Sequence, residues 1–186
     1  MKLKTITTEI IEILWRGPFN IIDIKENTYN KDYFLQNPFN KSDFPNYGLY
    51  QIYGTHPVFG PNSLLYIGKT DSFTGRLNAH NLRWIKYEYD DVKVYLGAIG
   101  VPNCETVTWS EYDRIQSIAE KLLVFMCQPP YNGYLKASFD PPKIENHSLA
   151  IYNFGKKALL PTELSTYYHS SKIWEGGEWA PVRYED

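Results

Sequence analysis

The stretch Asn46–Thr70 reads NYGLYQIYGTHPVFGPNSLLYIGKT and carries two short words, Gly48-Leu49-Tyr50 and Tyr66-Ile67-Gly68. Each word lies in a run rich in Ile, Leu and Tyr, and a Pro/Gly-bearing segment separates them. The stretch therefore reads as a β-hairpin with strands near 47–53 and 63–69. A tyrosine and a glycine recur at matching places in the two strands. In a hairpin that serves only the fold, Tyr50 and Tyr66 are cross-strand packing partners. In a hairpin that serves a site they wall a pocket, and Gly48 and Gly68 let a ligand approach the backbone.

Working outward, residues 72–89 (SFTGRLNAHNLRWIKYEY) read as a helix capped by Asp71 or Ser72, and the alternating, Val-rich run 92–100 as a strand. From Trp109 onward, Tyr112, Ile115, Ala119, Leu122 and Met126 recur at steps of 3, 4, 3 and 4. That stripe predicts a long helix, ended by Pro129-Pro130. Hairpin, helix, strand and long helix define an α+β (α/β) domain, a small, largely antiparallel sheet flanked by helices. Before it, Ile6, Ile10, Ile13 and Leu14 behind Thr5 predict a helix over 6–15, FNIIDI (19–24) a strand, and 27–46 a loop. After it, LAIYNFG (149–155) reads as a strand and Pro161–Tyr168 as a short helix with proline in its first turn. Trp174 and Trp179 read as aromatic anchors for the tail. The chain divides into an N-terminal extension (1–46), a core (47–134) and a C-terminal extension (135–186).

Composition narrows the function classes. A chain of 186 residues suits one domain with a real core. Aromatics make 16% of it, a surplus that a Tyr-rich β core uses and that base stacking would also use. The formal net charge of −2 argues against a protein that coats nucleic acid nonspecifically. It leaves room for a local basic patch, since Lys69, Arg76, Arg83 and Lys86 fall together with only Asp71 of opposite sign among them. Cys104 and Cys127 have neither zinc-ribbon nor disulfide-framework spacing, and His56, His147 and His169 lack metal-ligand spacing. Glu9 and Glu12 cut the apolar run at the start, so no signal peptide is expected, nor any membrane span. A cytoplasmic location is the simplest expectation.

The two words, in their order, resemble the signature of the GIY-YIG endonuclease family, which includes homing, excision-repair and some type II restriction endonucleases. The spacing beyond them is also similar: Arg76 ten positions after Tyr66, His80 one helical turn later, Glu120 on the long helix, and Asn132 inside QPPYNGY. The resemblance covers 47–134. Leu49 stands where the family has isoleucine, a volume-conserving swap. The connection from Gln51 to Leu65 reads as an insertion of 15 residues.

The resemblance implies a Mg²⁺-dependent DNA endonuclease, with Mn²⁺ as the substitute metal and double-stranded DNA as partner. Tyr50, Tyr66, Lys69, Arg76, His80, Glu120 and Asn132 are then the catalytic set, and Gly48, Gly68, Arg83 and Lys86 contact substrate. Glu120 would hold one Mg²⁺, an ion that takes one carboxylate together with waters and phosphate oxygens. Tyr50 would serve as base only if a cation stabilised its phenolate, and Lys69 on the adjacent strand is the expected cation. Arg76 would clamp the phosphate with its fork, Tyr66 and His80 would orient water and phosphate, and Asn132 would fix its loop to the hairpin. One such site cuts one strand, so a homodimer is expected for a double-strand break. The competing reading is a nucleic-acid-binding module of the same fold that does not cut. Convergence of Tyr50, Arg76 and Glu120 on one pocket is what separates the two.

Overall fold

The structure is a computed structural model of the chain and describes residues 7–26, 46–78, 92–100, 107–133, 136 and 147–166. Its elements are β1 (Thr7–Asn20), α1 (Ile21–Lys25), β2 (Gly48–His56), β3 (Gly60–Thr70), α2 (Phe73–Asn78), β4 (Lys93–Gly100), α3 (Trp109–Cys127), β5 (His147–Gly155) and β6 (Glu163–Ser165). The strands form one sheet in the order β3-β2-β4-β1-β5-β6, antiparallel throughout except for the β1–β5 pair. This is the largely antiparallel α+β architecture that the hairpin, β4 and α3 predict.

Three expected elements differ. The segment expected as a helix over 6–15 is the strand β1, inserted between β4 and β5. Ile11, Ile13 and Trp15 are fully buried while Ile10 and Leu14 are exposed, a period of two that the β-branched run favours over a helix. FNIIDI is not a strand: β1 ends at Asn20, and one helical turn follows that buries Ile24. Pro161–Tyr168 does not begin a helix either, because 163–165 pair with β5 and turn Leu164 into the core. The hairpin strands also run longer than expected, leaving Pro57–Phe59 as the turn rather than a 15-residue connection. His56 Nδ1 closes that turn by accepting from the backbone N–H of Val58 (3.2 Å) and Phe59 (3.3 Å).

Strand alternation sorts the core into two layers. Leu49, Ile67, Ile11, Ile13 and Trp15 pack in one cluster with Ile115, Ala119, Leu122 and Leu123 of α3. Tyr50, Ile52, Val94 and Leu96 face the other side, against Ile24 of α1 and Phe73 and Leu77 of α2. The predicted stripe on α3 is the buried one, and its N-terminus is capped by Thr108, whose side chain accepts from Glu111 N–H. At α2 the cap is Ser72, whose Oγ accepts from Gly75 N–H at 3.1 Å.

Because β3 is an edge strand, every second residue presents its backbone groups outward. Between Leu65 and Lys69, α3 and the turn that follows it take up four of these groups. Leu65 C=O accepts from Tyr131 N–H at 3.0 Å, Ile67 exchanges two bonds with the Asn132 side chain (3.0 and 2.8 Å), and Lys69 N–H donates to Glu120 Oε1 at 3.0 Å. The expected role of Asn132 in fastening its loop to the hairpin thus has a definite form. Asn132 is buried, so Asn132→Ala strands two buried backbone groups and should cost about 2–4 kcal/mol. Urea unfolding checks this as a lower midpoint with an unchanged slope.

Candidate active site

The β2–β3 register puts Tyr50 directly opposite Gly68 and Gly48 opposite Thr70. A Cβ on Gly68 would stand 2.6 Å from Tyr50 Cζ and Oη and 2.7 Å from the Tyr66 ring. The two tyrosine rings, stacked at 5.8 Å, lie across the space that glycine leaves. Gly48 has φ +142°, and a side chain there would strike the Gly97 carbonyl of β4. The expectation that these glycines admit a phosphate to the backbone is therefore replaced. Gly68 makes room for aromatic rings, and Gly48 allows strand packing.

Tyr50 is 0% exposed, and its hydroxyl accepts from Arg76 Nε at 3.1 Å. The Tyr66 ring stacks on Tyr50 and lies close enough to act on both Tyr50 and Arg76, so the three side chains form one cluster. Burial pushes the Tyr50 phenol well above its ordinary value of 10.0, and Tyr66 adds to the rise. The Arg76 guanidinium pulls the other way without cancelling it, so the phenol is protonated at neutral pH. The cation beside Tyr50 is Arg76 and not Lys69. Lys69 pairs in register with Leu49 and shares its face, so its ammonium goes to α3, 2.7 Å from Asp113 Oδ1 and 2.6 Å from Ser117 Oγ.

Arg76 also reaches around the sheet edge. Together with Lys69, Thr70 and Asp71 at the end of β3, and Trp109, Asp113, Gln116 and Glu120 of α3, it lines a cleft of about 480 Å³. Glu120 is half-buried there, with Oε1 held by Lys69 N–H at 3.0 Å. Burial raises its carboxyl above the ordinary 4.5, opposed in turn by the Lys69 N–H, Lys69, Arg76 and Lys121. Gln116, buried one turn before Glu120, donates to Gly48 C=O (2.7 Å) and Thr70 C=O (3.0 Å) and so locks α3 to both strands at the mouth of the cleft.

Of the expected set, Lys69, Arg76 and Glu120 share the cleft directly, and Tyr50 and Tyr66 join it through Arg76. Asn132 works from the β3 edge, and His80, Arg83 and Lys86 lie outside the described residues. Sequence reasoning missed Trp109, Asp113 and Gln116. They precede Glu120 at steps of 4, 3 and 4, a second helical stripe running beside the apolar one. Among the described residues no group of three or more His, Cys, Asp or Glu side chains is arranged as a metal cage. The donor set fits a cation held by one carboxylate, that of Glu120, with the remaining positions left to water and phosphate oxygens. Among the described residues the lining carries three carboxylates and two cations, and an ion bound there would add positive charge toward an incoming phosphate. Compared with models of protein families, with characterised proteins and with solved structures, the chain finds no significant match. No helix among the described residues is long and apolar enough to cross a membrane.

Proposed function

We propose that the protein is a divalent-metal-dependent DNA endonuclease of the GIY-YIG type, hydrolysing phosphodiester bonds in duplex DNA in a restriction-like manner. The observation that carries this reading is Arg76, which donates to the Tyr50 hydroxyl on one side of the edge strand and lines the Glu120 cleft on the other. Arg76 binds the scissile phosphate and offsets the charge that gathers on its free oxygens during attack. Glu120 would hold Mg²⁺, or Mn²⁺ in its place, and such an ion would supply Lewis-acid stabilisation for the phosphate and the leaving 3′ oxygen. The β3 N–H on Oε1 fixes the carboxylate at the cleft. Tyr50, kept neutral by burial, acts as a hydrogen-bond acceptor that aims Arg76.

The burial of Tyr50 is also the observation that favours the second reading, a module that binds nucleic acid without cutting, since it withholds a phenolate base. Purified protein incubated with supercoiled plasmid and Mg²⁺ decides between them. The endonuclease reading expects nicked and linear forms that vanish with chelator and return with Mn²⁺, and binding without any cut under either ion would overturn it. Linear product appearing without a nicked precursor would indicate two copies acting together, as a homodimer does.

Tyr50→Phe keeps the ring over Gly68 and removes only the acceptor for Arg76. Loss of one charge-assisted hydrogen bond should slow cleavage about 10-fold to 100-fold with little change in melting temperature. The pH–rate profile should keep its shape. A profile that loses an ionisation in the variant would instead make Tyr50 the base.

A further inference from the structure

We propose that Trp109 is the stacking platform for one unstacked nucleobase whose phosphate is held by Arg76, so that the cleft receives a single nucleotide drawn out of the helix beside the cut. This deepens the endonuclease reading and rests on it. Trp109 is 58% exposed although it is the largest apolar side chain at the site, and it lines the same cleft as Arg76 and Glu120. Its ring is held. Tyr112 stacks on it at 5.7 Å and 14°, Tyr47 meets it edge-on at 5.2 Å, and Tyr47 braces Tyr112 edge-on at 5.1 Å. The residue sits in the first turn of α3, directly after the Thr108 cap, so the backbone beneath the ring is fixed as well.

The rest of the lining identifies the ligand. Trp109 is the one apolar residue among Lys69, Thr70, Asp71, Arg76, Asp113, Gln116 and Glu120, so the occupant presents one flat apolar face and is polar and charged elsewhere. A nucleobase joined to a phosphate has that form, with the base on the indole and the phosphate at Arg76. The cleft volume of about 480 Å³ lies within the roughly 300–1,000 Å³ of sites that enclose one small group. In a regular duplex both faces of every base are covered by neighbours, so a face free for Trp109 belongs to a flipped, bulged or single-stranded nucleotide.

The test is a cycle between protein and DNA. Cleavage rates are measured for wild type, Trp109→Leu and Trp109→Phe on a duplex containing the cut site, with an abasic residue placed in turn at each position from three before to three after the cut. Stacking on a single base is expected to make Trp109→Leu roughly 10-fold to 100-fold slower on intact duplex, with Trp109→Phe close to wild type. At one position the abasic residue should slow wild type by a similar factor and leave Trp109→Leu unaffected, because both changes remove the same contact. Multiplying effects at all positions, or equal rates for wild type and Trp109→Leu, overturn the platform and leave the endonuclease reading standing. If wild type cuts no DNA, the endonuclease reading falls. The platform is then decided by titrating a single-stranded oligonucleotide and a nucleoside monophosphate against wild type and Trp109→Leu. Equal affinities overturn it, and a loss of affinity in the variant upholds it. Loss for the oligonucleotide alone assigns the site to polynucleotide, and loss for both assigns it to a free nucleotide.

Discussion

Glu120→Gln should abolish Mg²⁺-dependent cleavage while leaving DNA binding intact. The amide oxygen of glutamine can take over the acceptor role toward Lys69 N–H, so the edge of β3 stays capped and α3 keeps its place. What disappears is the negative charge that would hold a divalent ion, and an amide is a poor substitute ligand. With Arg76 and Lys69 unaltered, affinity for DNA should be unchanged or slightly higher, since a carboxylate near phosphate has gone. Cleavage assays beside filter-binding titrations separate the two effects. Retained cleavage would remove Glu120 from the metal, and joint loss of cleavage and folding would make it purely structural.

The same substitution carries a stability signature with a definite sign. Burial raises the Glu120 carboxyl above its ordinary 4.5, so ionising it costs the folded state. Its contribution to stability is fully present below the unfolded value and is lost as pH rises through the raised folded value. Glutamine has no such loss. Glu120→Gln should therefore melt at or above the wild-type temperature near pH 7, with the difference closing as pH falls below about 4.5. A residue that costs stability and is indispensable for turnover is the combination expected of a functional carboxylate rather than a solvated one.

The parts of this fold that could be read in advance are those whose signal is local. The hairpin, β4, α3 and β5 each carry enough period or β-branched content within their own residues to be placed. β1 does not. Ile10, Ile13 and Leu14 fit a helical face, whereas Ile11, Ile13 and Trp15 fit a strand face, and the choice is made by β4 and β5 on either side of it. β6 is three residues whose strand character comes from pairing with β5. In the site, the matched Tyr and Gly words do encode a real register, Tyr50 against Gly68, but the consequence is ring packing. Closeness in the hairpin points to Lys69 as the partner of Tyr50. Alternation excludes this, because Lys69 shares a face with Leu49 and Tyr50 with Gly68. Trp109, Asp113 and Gln116 went unread because the apolar stripe beside them dominates the period of α3.

That alternation makes the edge strand the place where two faces of the sheet meet, and it is why Arg76 should show the other large effect. From α2 it spans from the Tyr50 hydroxyl to the cleft of Glu120, so removing it breaks two things at once. Arg76→Ala takes away the guanidinium that would meet the phosphate, and cleavage should fall by about 10³-fold or more, the scale for loss of an arginine at a transferring phosphoryl group. It also leaves the fully buried Tyr50 hydroxyl without this partner, so stability should fall by roughly 1–3 kcal/mol. Arg76→Lys separates charge from geometry. Lysine keeps the positive charge, and with it the salt dependence of DNA binding, but has no planar fork to hold two phosphate oxygens and the Tyr50 hydroxyl together. Its cleavage should still be about 10²-fold below wild type. The double variant Tyr50→Phe/Arg76→Lys should then be little worse than Arg76→Lys alone, since the hydroxyl acts through the arginine it positions. Effects that instead multiply would mean that Tyr50 reaches the reaction independently of Arg76.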